Sequence, residues 1–154
     1  MSVIIQGYQL REIAFGQQVT STVTGLTSGA TSAWTVSGGK VIVTSLVGVV
    51  TTVVQSQTTA VKFQAVPTTG TTVDMCATLD LNAAEVGALL SVDGVLATAL
   101  QGGVSKSGAV GLMTKAQVVA PGAIKINSGA TSTGAITWTL TYIPYDTGAS
   151  IASV

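Results

Sequence analysis

The chain has 154 residues, no histidine and one cysteine, and its six basic side chains balance six acidic ones, leaving 8% charged residues against roughly 25% in an average globular protein. At this length one domain, 1–154, can bury about 70% of the surface it exposes unfolded, so neither disulfides nor a metal are needed to hold a core. Without histidine the commonest general base and transition-metal ligand is gone, and Cys76 alone makes neither an intrachain disulfide nor a multi-cysteine zinc site. Zero net charge and a pI of about 6.0 supply no positive field for a phosphate backbone. Nucleic acid is excluded as a partner on these grounds, as are Ser-His-Asp and Cys-His nucleophiles. A structural or binding role with no cofactor is expected.

The amino-terminal segment Val3-Ile4-Ile5-Gln6-Gly7-Tyr8-Gln9-Leu10 is apolar for a free end, so residues 1–18 are expected to form an arm that docks on a partner or on the body. It has no basic region before an apolar core and does not resemble a secretion signal, which predicts synthesis and folding in a cytoplasm. Further along, Gly, Thr, Ser and Val dominate, and turn-forming clusters recur at short intervals. That pattern predicts an antiparallel β-sandwich or jelly roll of about ten short strands. Strands are expected at Val19 to Thr24, Ala33 to Val36, Val41 to Thr44, Val47 to Val54, Ala60 to Val66, Thr72 to Leu79, Val95 to Leu100, Ala109 to Thr114, Gln117 to Ala120, Gly122 to Asn127 and Ala135 to Ile143.

Gly38-Gly39 between two of these runs predicts a tight hairpin, and Asp93-Gly94 a second. Mean hydropathy is +0.61, and Val41 to Val61 is free of charge. Its frequent Thr, Ser, Gln and Gly, with valine as the main apolar residue, suit strands and not a membrane-spanning helix. The one predicted helix is a turn or two over Asp80 to Gly87, with Asp80 or Asn82 as its cap and Gly87 as its stop. Ser28-Gly29-Ala30-Thr31-Ser32 returns as Ser128-Gly129-Ala130-Thr131-Ser132, each copy ahead of a tryptophan, Trp34 or Trp138. In so Ser/Thr/Gly-rich a chain, shared loop chemistry or chance ranks ahead of equivalent strands in a duplicated sandwich. Both tryptophans read as core plugs.

Alternation at the far end places Ile136, Trp138, Leu140 and Tyr142 on one face and Thr137, Thr139, Thr141 and Ile143 on the other. A solvated outer face usually carries Lys and Glu, whereas a threonine face pairs with a neighbouring strand or packs on another subunit. The candidate interface residues are therefore Val3, Ile4, Ile5, Tyr8, Leu10, Thr137, Thr139 and Thr141.

Catalytic candidates are few. Asp74, Asp80 and Glu85 could form a carboxylate cluster for glycoside or metal chemistry, but Asp74 falls on a polar strand phase and the other two suit capping and solvation. Asp93 and Asp146 fit local turn bonding. Gly38-Gly39-Lys40 lacks the Ser or Thr and the upstream glycine of a phosphate loop, and the glycine-rich stretch Gly102 to Gly108 reads as a contact loop. Cys76 reads as a small buried filler.

Low charge leaves little repulsion between copies, so self-association is expected. The run Ser45-Leu46-Val47-Gly48-Val49-Val50-Thr51 after the Trp34 segment, the stretch Asp74-Met75-Cys76-Ala77-Thr78-Leu79-Asp80-Leu81 ahead of Gly87-Ala88-Leu89-Leu90, and the ending Gly134-Ala135-Ile136-Thr137-Trp138-Thr139-Leu140-Thr141-Tyr142-Ile143-Pro144-Tyr145-Asp146-Thr147-Gly148-Ala149 resemble small structural proteins of tailed-bacteriophage virions. The resemblance implies a capsid decoration or other head-associated protein, non-enzymatic, β-rich and often trimeric, that sits on the major capsid protein lattice of the virion. It brings no catalytic, metal or cofactor residue. A tail or fibre component is the alternative of the same class, and a carbohydrate-binding or hydrolytic sandwich using Asp74, Asp80 or Glu85 the alternative of another. No membrane partner is expected.

Overall fold

The computed structural model describes residues 5–154. Helix α1 (Gly7–Phe15) precedes twelve strands: β1 (Gln17–Leu26), β2 (Gly29–Ser37), β3 (Val41–Thr52), β4 (Ala60–Pro67), β5 (Val73–Asp74), β6 (Leu79–Asp80), β7 (Leu89–Ser91), β8 (Gln101–Gly102), β9 (Gln117–Val119), β10 (Gly122–Ser128), β11 (Ser132–Pro144) and β12 (Ser150–Ser153). They make an antiparallel β-sandwich. One layer has the order β1-β11-β3-β7-β8, with β9 also pairing β3; the other contains β10-β4-β5, with β6 on β4, and the pair β12-β2, β2 lying beside β10.

The period-2 pattern decides what each strand buries. On β11, Ile136, Trp138, Leu140 and Tyr142 point into the core as expected, and Val41, Val43, Leu46 and Val50 of β3 join them. A register shift opposite Thr141 and Tyr142 lets β3 keep Val41 and Val43 inward on one side of the irregularity and Leu46 and Val50 on the other. Trp34 of β2 and Trp138 of β11 are fully buried, one on each side of Phe63 of β4. The Phe63 ring lies 6.1 Å from Trp34 and meets Trp138 edge-on at 4.7 Å and 85°. Neither indole N–H has a protein acceptor, so packing alone holds these rings.

The repeated pentapeptides lie next to one another but in different local structure. The first runs from the β1–β2 connection into β2, with Gly29 to Ser32 already in the strand, whereas the second spans the turn from β10 to β11; Ser28 bridges Ser128, and the Ser28 amide donates to Thr131 Oγ1 at 3.1 Å. β11 sits between β1 and β3, while β2 has β12 on one side and β10 on the other. Each triplet thus inserts its middle strand into the other, exchanging strands between the layers. The two corner turns also meet. The Lys40 amide donates to Asp146 Oδ2 at 2.8 Å and the Tyr145 amide to the Lys40 carbonyl at 2.9 Å.

Several local expectations differ from the structure. Gly38 (φ 73°) and Gly39 (φ 146°) do form a tight turn, but β2 and β3 belong to opposite layers, so the turn is a corner between sheets and not a hairpin. Nor does Asp93-Gly94 make a hairpin: β7 pairs with β3 and β8, and Val95-Leu96 is irregular. Val41 to Thr44 and Val47 to Thr52 are one twelve-residue strand, whereas 95–100 and 109–114 are loops and the expected strand over Thr72 to Leu79 shrinks to the edges of β5 and β6.

The expected helix at Asp80 to Gly87 is a series of turns. Its amides are taken by neighbours, Leu81 to the Thr59 carbonyl and Ala83 to that of Gln55, while the Ala84 carbonyl accepts from Val54; a run so short yields to such tertiary bonds. The helix lies instead at Gly7–Phe15, within the segment expected to be an arm. A reciprocal Gln6–Gln9 capping pair starts it and Gly16 (φ 102°) stops it.

Candidate functional site

The three longest strands, β1, β11 and β3, are neighbours in the larger sheet and contain no Asp, Glu, Lys or Arg. Their outward residues line up across the register. Thr20 faces Thr139, which faces Val47; Thr22 faces Thr137, which faces Val49. Thr22 and Thr137 are joined hydroxyl to hydroxyl at 3.1 Å. Such a ladder satisfies its hydroxyls laterally and leaves methyl groups outward. Thr137 and Thr139 are half-buried and Thr141 is buried, because the last sits beneath neighbouring segments at the end of the sheet. There the Thr44 hydroxyl donates to the carbonyls of Phe15 and Thr141, at 2.9 and 3.2 Å, and the Ser45 hydroxyl to that of Gly111, at 2.5 Å.

The opposite layer differs in kind. Lys62, Gln64, Lys125 and Asn127 stand on adjoining β4 and β10, with Asp74 of β5 beside them. Lys62 Nζ donates to Asp74 Oδ2 at 2.6 Å, Gln64 Nε2 to Asp74 Oδ1 at 2.7 Å, and Asn127 Nδ2 to Gln64 Oε1 at 3.1 Å. This part of the layer, β4, β10 and β5, is solvated in the ordinary way, whereas β1, β11 and β3 present a neutral face.

Helix α1 flanks the neutral face. Tyr8, Leu10, Ile13 and Phe15 are all exposed, Ile13 at 75%, and no residue of the helix is buried. At 100° per residue Tyr8 and Phe15 share one side and Leu10 and Ile13 the other. Nine residues would not hold a stable helix alone in water, and four of these nine are apolar side chains left exposed. Between α1 and the sheet runs a groove of ≈ 430 Å³ lined by Arg11, Phe15, Gln18, Ser45, Val47, Leu112, Thr139 and Thr141 among others. Of the expected interface residues, Ile5, Tyr8 and Leu10 are exposed beside or on α1, and Thr139 and Thr141 line the groove with the helix's Phe15. Thr137 lies further along the same ladder. Val3 and Ile4 lie outside the described residues. The strand partners Thr20, Thr22, Val47 and Val49 were not singled out from sequence, although the alternation of β1 and β3 carried the signal.

The four aspartates have structural partners, and the Glu85 side chain is exposed and makes no hydrogen bond or ion pair with the described residues. Asp80 Oδ1 accepts from the amides of Thr59 and Asn82, at 2.7 and 3.1 Å. Asp93 and Asp146, expected to bond locally, reach distant segments instead: Asp93 accepts from the Thr114 hydroxyl, and Asp146 clasps Lys40. Lys40 also lies 5.1 Å above the Tyr145 ring, which ties its ammonium to the corner turn. A second hollow, ≈ 460 Å³, has Asp74 and Lys115 on its lining, but none of its lining residues is aromatic. It therefore offers no platform for stacking a sugar. Among the described residues no group of three His, Cys, Asp or Glu could hold a metal ion, and no helix is long and apolar enough to cross a membrane.

Cys76 is buried with the Phe63 amide 3.4 Å from its sulfur, and burial pushes its thiol pKa up. Hydrogen bonds from Lys62 and then Gln64 hold the Asp74 carboxyl below its ordinary value of 3.8. The unfolded chain therefore takes up that proton first, so the stabilisation is complete above 3.8 and is lost as pH falls through the folded value. Acid unfolding followed by circular dichroism is expected to show a shallower pH dependence for Asp74→Asn than for the wild type below about pH 4. The difference will be small, because the Asp74 side chain is 44% exposed and screened.

Comparison of the chain with family models, with curated proteins and with solved structures finds no match.

Proposed function

We propose that this protein is a non-enzymatic assembly subunit that binds copies of itself and a larger protein lattice, in the manner of a decoration protein on a tailed-phage capsid. The observation that carries the reading is the neutral face: three adjoining strands with no ionised side chain, bordered by a helix whose apolar residues have no cover. Interface cores are depleted of charge in the same way, while the polar network around Asp74 marks the layer left to solvent. The resemblance of sequence texture supplies the capsid shell as the lattice. A subunit that binds only the assembled shell would stabilise it by mass action, each copy adding a modest term that lattice symmetry multiplies. Engagement of Asp74 and Asp80 with structural donors favours this reading over a glycan hydrolase.

The test is the mass of the purified protein in solution together with its position, by electron microscopy, in virus particles that contain it. Self-association at micromolar concentration and density on the shell exterior are expected; density on the tail would favour the fibre alternative. Val49→Lys, at the β3 end of the row it forms with Thr137 and Thr22 and 37% exposed, should weaken binding to the shell by about tenfold or more, the equivalent of ~1.4 kcal/mol, and leave the melting temperature nearly unchanged. A stable monomer that ignores shells would overturn the proposal.

A further inference from the structure

Strand β1 is hydrogen-bonded to β11 on one side, and no described strand pairs with its other edge. Natural edge strands are protected by a lysine, a proline, a bulge or short length. β1 runs ten residues with no charge and no proline, and its one irregularity comes only at its end, between Thr24 and Leu26. Its centre, Val19-Thr20-Ser21-Thr22-Val23, also reads the same in both directions.

That palindrome has a geometric meaning. Two copies of one strand related by a two-fold axis run antiparallel, and an axis through Ser21 sets Thr20 against Thr22 of the second copy and Val19 against its Val23. Like then meets like across all five residues of the palindrome. The outward threonines form the same kind of pair already made by Thr22 with Thr137, and the inward valines extend the core. Sliding the strands by two residues would put valine opposite Ser21 and lose this match.

We propose that β1 pairs antiparallel with β1 of a second copy about a two-fold axis at Ser21, joining two larger sheets into one. The row Val49, Thr137, Thr22 then continues through Thr20, Thr139 and Val47 of the second copy, giving a neutral surface twice as wide to lay on a shell. A two-fold contact gives even copy numbers, in place of the trimer that the resemblance implies. This inference rests on the assembly reading above and specifies its mode of self-association.

Charge placement tests it. In Thr20→Lys/Thr22→Lys each two-fold pair sets like charges opposite one another, whereas in Thr20→Lys/Thr22→Glu the same pairs are opposite in sign. Analytical ultracentrifugation is expected to give the wild type as even multiples of 15.3 kDa, association weakened about tenfold or more in the first variant, and association retained in the second. Mixing the first variant with Thr20→Glu/Thr22→Glu should restore the pair. Far-UV circular dichroism checks folding, and if the lysine pair does not fold, the glutamate pair set against Thr20→Glu/Thr22→Lys gives the same contrast. A monomeric wild type would overturn the assembly reading itself. An associating wild type whose variants all persist, or all dissociate alike, would overturn edge pairing and leave the assembly reading standing.

Discussion

Phe63→Ala is expected to lower stability by about 3–5 kcal/mol, the cost of a large aromatic removed from a packed core. Phe63 is fully buried between the two tryptophans, at 6.1 Å from one and edge-on at 4.7 Å to the other. Trp34 belongs to one layer and Trp138 to the other, so the ring takes part in aromatic packing across the two layers. Backbone pairing of β4 with β10 leaves little room for the layers to collapse onto the hole. Thermal unfolding should shift down by about 10 °C or more in a domain of this size. Phe63→Leu, which keeps much of the volume, should recover a large part of the loss, and equal losses in the two variants would refute the role given to the aromatic cluster.

Gly48→Ala should destabilise by about 1–3 kcal/mol, the usual cost of overpacking. The direction is informative, because replacing glycine by alanine within a strand ordinarily gains roughly 0.5–1 kcal/mol. Gly48 is the register partner of Trp138, and the indole lies across the space a side chain would fill. An added Cβ would stand 2.5 Å from Cε3 and Cζ3 and 2.8 Å from Cδ2 of that ring. The ring is fully buried and also packs against Phe63, which restricts how far it can shift. Combining Gly48→Ala with Trp138→Phe should cost less than the sum of the single changes, and chemical denaturation of the four proteins in a double-mutant cycle measures that coupling. A stabilised Gly48→Ala protein would show that the contact is not tight.

The same contact illustrates what could be read in advance. Trp138 announces itself as a core residue by alternation with Ile136, Leu140 and Tyr142, and all four are buried. Nothing local to Gly48 says that a ring ninety residues further along will cover it. Likewise the threonine phase of β11 was legible, whereas the rows that add Thr20, Thr22, Val47 and Val49 exist only once three distant strands are in register. For the carboxylates, the bland role was legible at Asp80. The partners of Asp93 and Asp146 were not, because Thr114 and Lys40 come from segments far away in the chain.

Composition and alternation, acting by themselves, determined an all-β chain, the inward face of its principal strands, two buried tryptophans and a shortage of charge with which to solvate the rest. Each of these is a property of a residue and its immediate neighbours, since a strand turns successive side chains to opposite faces whatever it pairs with. Tertiary structure decided that Gly38-Gly39 turns a corner between layers, that the repeated pentapeptides meet, that 80–87 stays irregular while Gly7–Phe15 is helical, and that the three longest strands, all neutral, lie side by side. Strand partners are chosen by burial and loop closure over the whole chain, and a two-residue turn is compatible with either choice. The neutral face is where the two kinds of information join: its chemistry is local, and its breadth is a consequence of the pairing.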